Sequence, residues 1–148
     1  MKRRRVLTVV TLGATAGCFR RFTADRADGP PSVDAPTVEL APGEETTATV
    51  IAENVGSMSI HTLVAPPDGE RESRPVVELA DENLSPSPTS VNESMPPEWH
   101  WSPPRARVTY EAPIRVPNDV SSGTYDYRVG ISKETDRDSE PIEIRVTA

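Results

Sequence analysis

Apolar and polar residues alternate along three segments in the C-terminal half of the chain: Arg105–Val116, Tyr125–Ser132 and Ile142–Thr147. The apolar positions are Ala106, Val108, Tyr110, Ala112, Ile114 and Val116, then Tyr125, Tyr127, Val129 and Ile131, then Ile142, Ile144 and Val146. Because successive side chains of a β-strand point to opposite faces, a period of two predicts three strands, each with one buried and one wet face.

Four shorter runs precede them, and they are Thr37–Leu40, Thr46–Glu53, Met58–Val64 and Pro75–Leu79. β-Branched residues fill these runs, and turn signals such as Asn54-Val55-Gly56 bracket them. No stretch of adequate length shows a helical apolar stripe, and the 16 prolines would break most helices. Half-buried antiparallel strands must pack against a second sheet, so the pattern predicts an all-β, seven-stranded β-sandwich.

The first eighteen residues follow a different pattern. A basic head is followed by an apolar stretch, Val6–Ala16, and then by small residues that end at Gly17. About twelve helical residues rise only about 18 Å, too short for a hydrocarbon core of about 30 Å. We therefore expect residues 1–17 to be a secretory signal peptide rather than a membrane span.

Two details of this leader indicate the route of export. Arg3 and Arg4, followed by apolar residues, resemble the twin-arginine signal, which carries folded cargo. The residues before Cys18 resemble a lipobox, in which the cysteine sulfur is lipidated and the chain is cut before it; this chain has Thr15 where the family usually has leucine. Cys18 is the one cysteine of the chain, so an internal disulfide is excluded, and we expect it to be the lipid anchor.

Residues 18–36 are polar and interrupted by Gly29, Pro30, Pro31 and Pro36. We predict that they form a lipid-anchored linker, and that residues 37–148 form the sandwich. A proline-bearing linker extends by about 3.1 Å per residue, so this one would hold the domain some tens of ångströms from the membrane.

The charge of the body is strongly acidic. Without the four basic residues at positions 2–5, 12 Lys and Arg stand against 23 Asp and Glu, a balance of −11. Lys133 is the one lysine that remains. This composition resembles that of proteins that work in molar salt, where a Debye length of about 3 Å screens dense carboxylates. It also argues against nucleic acid as a partner, since phosphate neutralisation needs clustered basic residues.

Several short pieces of the body resemble immunoglobulin-like domains of the NEW3 and CARDB type. The pieces are Ala41-Pro42-Gly43-Glu44-Glu45 within Val38–Glu53, Asn54-Val55-Gly56, Pro97-Glu98-Trp99 with Ser102-Pro103, and the run from Arg115 to Tyr125. The resemblance implies an immunoglobulin-like sandwich without a catalytic site. With the leader, the whole chain resembles a haloarchaeal-type secreted lipoprotein.

The stretch from residue 80 to residue 98 departs from that family because it is longer than the usual link. A structureless loop of this length is uncommon in a compact domain, so we expect it to be disordered or functional. Asn83-Leu84-Ser85 and Asn92-Glu93-Ser94 within it both fit the N-glycosylation sequon. Asn83 and Asn92 are therefore candidate glycosylation sites.

Trp99 and Trp101 lie two residues apart, so an extended chain places both rings on one face. Together they could stack on a sugar ring. Alternatively they fill the sandwich core, as tryptophan does in immunoglobulin-like domains, and a chain with only 5% aromatic residues needs them there.

Other candidate ligands form no recognisable site. His61 and His100 could join a carboxylate on zinc, but nothing in their spacing brings them together. Glu134, Asp136, Asp138 and Glu140 could gather calcium, yet the EF-hand spacing and its glycine are missing, so a solvated acidic hairpin is the better interpretation. We predict no metal and no cofactor.

The sequence contains no nucleophile elbow, phosphate-binding glycine loop or zinc-protease helix. We therefore predict no enzymatic activity and no catalytic residue. The leading hypothesis is a non-catalytic lipoprotein, anchored by lipid on the extracellular face of the cytoplasmic membrane, whose sandwich binds another envelope protein or has a structural role. The alternatives are a glycan-binding accessory domain that uses Trp99 and Trp101, and an accessory subunit of a membrane-bound enzyme or transporter.

Overall fold

A computed structural model describes residues 27–62 and 73–148. Within these ranges the chain forms nine β-strands, one short 3-10 helix at Asp81–Asn83, and no α-helix. The strands are β1 Ser32–Asp34, β2 Thr37–Leu40, β3 Glu45–Thr62, β4 Val76–Val77, β5 Leu84–Ser85, β6 Ser90–Asn92, β7 Glu98–Arg115, β8 Gly123–Lys133 and β9 Asp136–Val146. The protein is an all-β sandwich, as its alternating sequence predicted.

The strands follow the hydrogen-bonded order β2-β9-β8-β3-β7-β4, with β1 also paired to β3, and β5 and β6 to β7. β3 pairs with β7 from Glu45 to Ser59, with β1 at Ile51–Glu53, and with β8 from Ser57 to Thr62. β3 thus lies between β7 and β8 and connects them in one continuous sheet. The C-terminal strands β8 and β9 form a long antiparallel hairpin beside it.

A bulge between Val55 and Ser57 interrupts the register of β3 with β7: β3 advances by two residues there, while β7 moves from Arg105 to His100. Asn54 has a left-handed φ of 57°, a conformation that asparagine tolerates better than most residues. At Gly56 a Cβ would lie 3.2 Å from the carbonyl oxygen of Ser132, so the partner strand leaves little room for a side chain. The prediction of a turn at Asn54–Gly56 between two strands is therefore wrong: the same residues bend one continuous strand.

The predicted apolar faces form the core. Buried side chains with at most 1% exposure include Val108, Tyr110, Ala112 and Ile114 in β7, Val129 in β8, and Ile142 and Ile144 in β9. Val50, Ala52, Val55 and Met58 of β3 join the same cluster. Apolar side chains alternate inward on both sides of the bulge, at Val50 and Ala52 before it and at Met58 and Ile60 after it.

The strand count differs from the predicted seven for two reasons. The run predicted at 46–53 and the described part of the run at 58–64, as far as Thr62, merge into β3, while β1, β5 and β6 arise where no strand was predicted. β1 pairs antiparallel with β3, whereas β2 pairs parallel with β9, so the two N-terminal strands reach different parts of the sandwich.

The folded part begins before residue 37, inside the predicted linker. Lys133 Nζ donates hydrogen bonds to the carbonyl oxygens of Ala27 and Gly29, at 3.2 and 2.5 Å. Asn54 Nδ2 donates to the Pro30 carbonyl at 2.9 Å, and the Val33 amide donates to Asp138 Oδ2 at 3.0 Å. These polar contacts hold residues 27–33 against the sandwich. Because the contacts are polar, the sequence shows no apolar period that would have predicted a folded segment here.

Tyr125 lies two residues after the start of β8. Its hydroxyl donates a hydrogen bond to the Ser121 carbonyl, four residues earlier, at 2.8 Å. A tyrosine that bonds back to the backbone in this way resembles the tyrosine corner of immunoglobulin-like sandwiches. The contact shapes the connection from β7 to β8.

Candidate functional site

Both tryptophans lie in the core. Trp99 is 0% and Trp101 is 2% exposed, and both project inward from β7. Trp99 Nε1 donates to Asp81 Oδ1 and Trp101 Nε1 donates to the Pro86 carbonyl, each at 3.1 Å. The rings cannot stack on a sugar, so the sugar-platform interpretation of this pair is wrong and the core interpretation is correct.

Two tyrosines make the same kind of contact with the same part of the chain. The Tyr127 hydroxyl donates to the Pro75 carbonyl and the Tyr110 hydroxyl to the Glu78 carbonyl, while the Ala80 amide donates to Tyr110 at 3.3 Å. Burial raises the pKa of both hydroxyls above the ordinary 10.0. We name residues 75–86 the anchored segment, because four aromatic side chains hold it over the core.

The region from residue 80 to residue 98 is therefore ordered, so the expectation that it could be a disordered loop is wrong. It contains the 3-10 helix and the short strands β5 and β6, both paired with β7. Its order depends on partners in β7, so the polarity of its own residues did not predict it.

The outward face of the strands carries a polar groove of about 630 Å³. We name it the serine groove. Its lining residues are Ser57, Ser59, His61, Glu98, Gly130, Ile131, Ser132, Glu134, Arg137, Asp138 and Ser139, from β3, β7, the β8–β9 hairpin and its turn.

The cross-strand register builds the floor of the serine groove. Ser57 stands opposite Ser132, and Ser59 stands opposite Gly130, which in turn stands opposite Ser139. The hydroxyl oxygens of Ser57 and Ser132 lie 2.6 Å apart. At Gly130 a Cβ would meet nothing within 4 Å, so the glycine leaves an open gap in the middle of the hydroxyl row. An interior strand glycine costs about 0.5–1 kcal/mol and often marks a place where a ligand or another backbone approaches closely.

Histidine and charged side chains surround this row. His61 Nε2 lies 3.0 Å from Ser59 Oγ, and His100 Nε2 lies 3.4 Å from Glu98 Oε1. Glu134, Arg137 and Asp138 line the hairpin end of the groove. The groove thus presents hydroxyl groups together with charges of both signs, which suits a partner with many hydrogen-bonding groups.

The Ser59–His61 pair has the contact of a nucleophile and a base, but a triad also needs an acid that orients the imidazole. In the described ranges no carboxylate bonds to the second ring nitrogen of His61. The two histidines share the outer face, since Ser57 stands opposite His100 on β7 and His61 lies four residues further along β3. Even so, no group of three His, Cys, Asp or Glu residues in the described part of the chain is arranged to hold a metal ion.

The acidic residues between 134 and 140 lie in the β8–β9 hairpin, as the solvated-hairpin interpretation proposed. Lys133 pairs with Asp136 across its turn, and Glu134 adopts a left-handed φ of 60°. Asp138 is occupied by the Val33 amide. These acids therefore serve the hairpin and the N-terminal strand.

The two sequons have different surroundings. Asn83 ends the 3-10 helix and is half-buried, whereas Asn92 ends β6 and is exposed. The predicted export and lipidation residues, Arg3, Arg4 and Cys18, lie outside the described residues. The described ranges contain no helix long and apolar enough to cross a membrane.

The sequence analysis did not identify the serine groove. Its signal was present as outward-facing small polar residues, Ser57 and Ser59 on β3, and as Gly130 inside an otherwise regular strand. Pairing of distant strands was needed to bring these positions together.

Comparisons with known proteins give limited resemblance. No family model and no curated protein matches the chain. Among solved structures, a family 123 glycoside hydrolase from Clostridium perfringens has 10% sequence identity and a TM-score of 0.40 over 79% of this chain, which spans only 27% of the hydrolase chain. The third ScaB cohesin of R. flavefaciens, in complex with a group 1 dockerin, has 11% identity and a TM-score of 0.39 over 82% of this chain and 98% of the cohesin.

Proposed function

We propose that this protein is a non-catalytic, lipid-anchored surface protein whose sandwich binds another envelope protein through the serine groove. The observation that carries the proposal is the open gap at Gly130, flanked by Ser59 and Ser139. A glycine there weakens the strand and leaves hydroxyl groups uncovered, which is a cost without benefit to the fold alone. The leader, with Arg3, Arg4 and Cys18, supports export and anchoring.

The place where the chain joins the sandwich favours a partner close to the membrane. Ala27 is held by Lys133, which directly precedes the groove residue Glu134. Only eight residues lie between Cys18 and Ala27 in the sequence, which makes nine steps along the chain. A fully extended chain of that length spans about 30 Å, so a lipidated Cys18 would keep the groove within roughly that reach of the bilayer.

The same short reach favours a second candidate function, an accessory subunit of a membrane-bound enzyme or transporter. Two observations distinguish these candidate functions: which proteins copurify with this chain, and which activity changes when the chain is removed. A subunit would copurify in fixed proportion with an integral membrane protein, and its removal would change the activity of that protein. A binding module for other surface proteins would show neither effect.

The decisive experiment fills the groove without touching the core. A Gly130→Trp substitution places an indole in the gap, where no neighbouring atom lies within 4 Å of the new Cβ. We expect crosslinking of intact cells to capture a specific envelope protein with the wild-type chain and at least tenfold less of it with G130W, at unchanged melting temperature.

Thr124→Trp is the matched control. Thr124 is exposed on the same face of β8 as Gly130, and it lies six positions before it, about 20 Å along the strand. T124W should crosslink like the wild type. Equal capture by wild type, G130W and T124W would refute the groove as the contact surface.

A further inference from the structure

We infer that Asn92 is the N-glycosylation site of this protein and that Asn83, although it lies in an equally good sequon, is not modified. The inference rests on the proposed export, because it needs a protein that folds before or as it meets the glycosylating enzyme. Both sequons have the form Asn-x-Ser, so the local sequence does not distinguish them. The fold does.

Asn83 is half-buried, although Ser85 of the same sequon is exposed. The backbone amide of Asn83 donates to the Ala80 carbonyl at 3.1 Å, and the Ala80 amide in turn donates to the hydroxyl of Tyr110, a residue that is 0% exposed. The next residue, Leu84, is a core residue at 4% exposure, and β5 pairs it with Tyr110. An enzyme cleft could reach this tripeptide only after β5 had separated from β7.

Asn92 projects from the surface. It ends the edge strand β6, and Asn92, Glu93 and Ser94 are all exposed. The following residue, Met95, is 93% exposed, so the chain stands clear of the sandwich here. The Ser94 contacts are local ones, from its amide to the Asn92 carbonyl and from its hydroxyl to the Pro96 carbonyl, both at 2.9 Å. Binding to an enzyme would break no core contact.

The reaction needs a glycan donor whose anomeric carbon carries a lipid-linked phosphate or pyrophosphate. A bond forms between the side-chain nitrogen of Asn92 and the anomeric carbon, and the bond from that carbon to the phosphate oxygen breaks. The phosphate leaves with the electron pair, and the amide nitrogen loses one proton. No oxidant or reductant takes part.

The position of Asn92 connects the glycan with the serine groove. Asn92 stands opposite Glu98 in the β6–β7 pairing, and Glu98 lines the groove. The glycan therefore stands at the β6 side of the groove. A partner must approach from the hairpin side, toward Arg137 and Asp138.

The experiment compares the chain exported by its own organism in three forms: wild type, Asn92→Gln and Asn83→Gln. Intact mass and glycopeptide mapping should show one glycan on the wild type, the same glycan on N83Q, and none on N92Q. Backbone hydrogen exchange on unmodified protein should be at least a hundredfold slower at Leu84 and Ser85 than at Glu93 and Ser94.

Surface protease digestion of the same cells separates failure of the inference from failure of the proposed export. Exported protein that carries a glycan at Asn83, or no glycan at all, overturns the inference and leaves the proposed function standing. Protein that is recovered inside the cell, protected and unmodified, overturns both.

Discussion

The β8–β9 hairpin and the anchored segment, residues 75–86, are held in place by different physics. The hairpin is a ladder of eleven residue pairs from Gly123↔Val146 to Lys133↔Asp136, and apolar side chains alternate along β8 from Tyr125 to Ile131 and along β9 from Ile142 to Val146. The anchored segment has two short strands and a 3-10 helix, and it is held by the polar atoms of four aromatic side chains from β7 and β8.

This difference separates two uses of an aromatic residue. In the hairpin, Tyr127 and its apolar neighbours contribute buried area, which is worth about 25 cal/mol per Å². Toward the anchored segment, the same ring presents a hydroxyl that must find a partner because it is buried. A chain poor in aromatic residues thus uses them twice, as core volume and as attachment points for an irregular segment.

The largest effect is expected from Trp99→Ala, which removes both uses at one position. Loss of a fully buried tryptophan should lower the free energy of unfolding by about 3–5 kcal/mol. The anchored segment should also lose its hydrogen-exchange protection, whereas the hairpin keeps its own up to global unfolding. Met95→Ala is the control, since a side chain that is 93% exposed should cost less than about 0.5 kcal/mol. If denaturant unfolding shows that W99A lowers the free energy of unfolding by less than 1 kcal/mol, Trp99 does not act both as core volume and as an attachment point.

A smaller effect isolates the polar contact. Asp81→Ala removes the acceptor of the Trp99 indole N–H, and an unpaired buried donor costs about 1–3 kcal/mol. Asp81→Asn keeps an oxygen in the same place and should retain most of the stability. The neighbouring exposed residue gives the control Glu82→Ala, expected within about 0.5 kcal/mol of wild type. Similar unfolding midpoints for D81A and E82A would contradict attachment through the indole.

Alkaline pH should weaken the attachment of the segment gradually. Burial raises the pKa of Tyr110 and Tyr127 above 10.0 in the folded protein, so the unfolded chain loses these protons first. The contribution of the two buried hydroxyls to the free energy of unfolding is therefore fully present below pH 10, and it declines as the pH rises above 10. We expect the unfolding free energy to fall less steeply above pH 10 in a Tyr110→Phe, Tyr127→Phe double variant than in the wild type. Parallel pH profiles would show that neither hydroxyl is responsible.

The smallest effect is expected in the turn of the hairpin. Glu134 holds a left-handed φ of 60°, which costs a non-glycine residue about 1–2 kcal/mol. Glu134→Gly should therefore raise the unfolding free energy by about 0.5–1 kcal/mol, after the entropy cost of glycine is deducted. Thr135→Gly, next to it and without a positive φ, should instead lower stability. If thermal unfolding shows that both substitutions raise the stability, the left-handed φ of Glu134 is not the source of the gain.

The same division explains how much of the site could be predicted. The spacing of Trp99 and Trp101 predicted that both rings lie on one face of the strand. The small share of aromatic residues favoured the interpretation that they fill the core, and both are buried. Their hydrogen-bond partners, Asp81 and Pro86, could not be predicted, because they lie 18 and 15 residues away. The serine groove was missed for the same reason, since Ser59, Gly130 and Ser139 meet only through strand pairing.

The sequence by itself determined the all-β class, the inward face of each long strand and the acidic, solvated β8–β9 turn. These properties depend on the period of a single strand, which neighbouring residues carry. Only the tertiary structure decided that β3 runs through Asn54–Gly56 as one strand, that residues 27–33 belong to the sandwich, and that Asn83 is half-buried while Asn92 is exposed. These properties depend on contacts between backbone and side-chain groups that are distant in the sequence. Short polar segments have no hydrophobic period from which those contacts could be predicted.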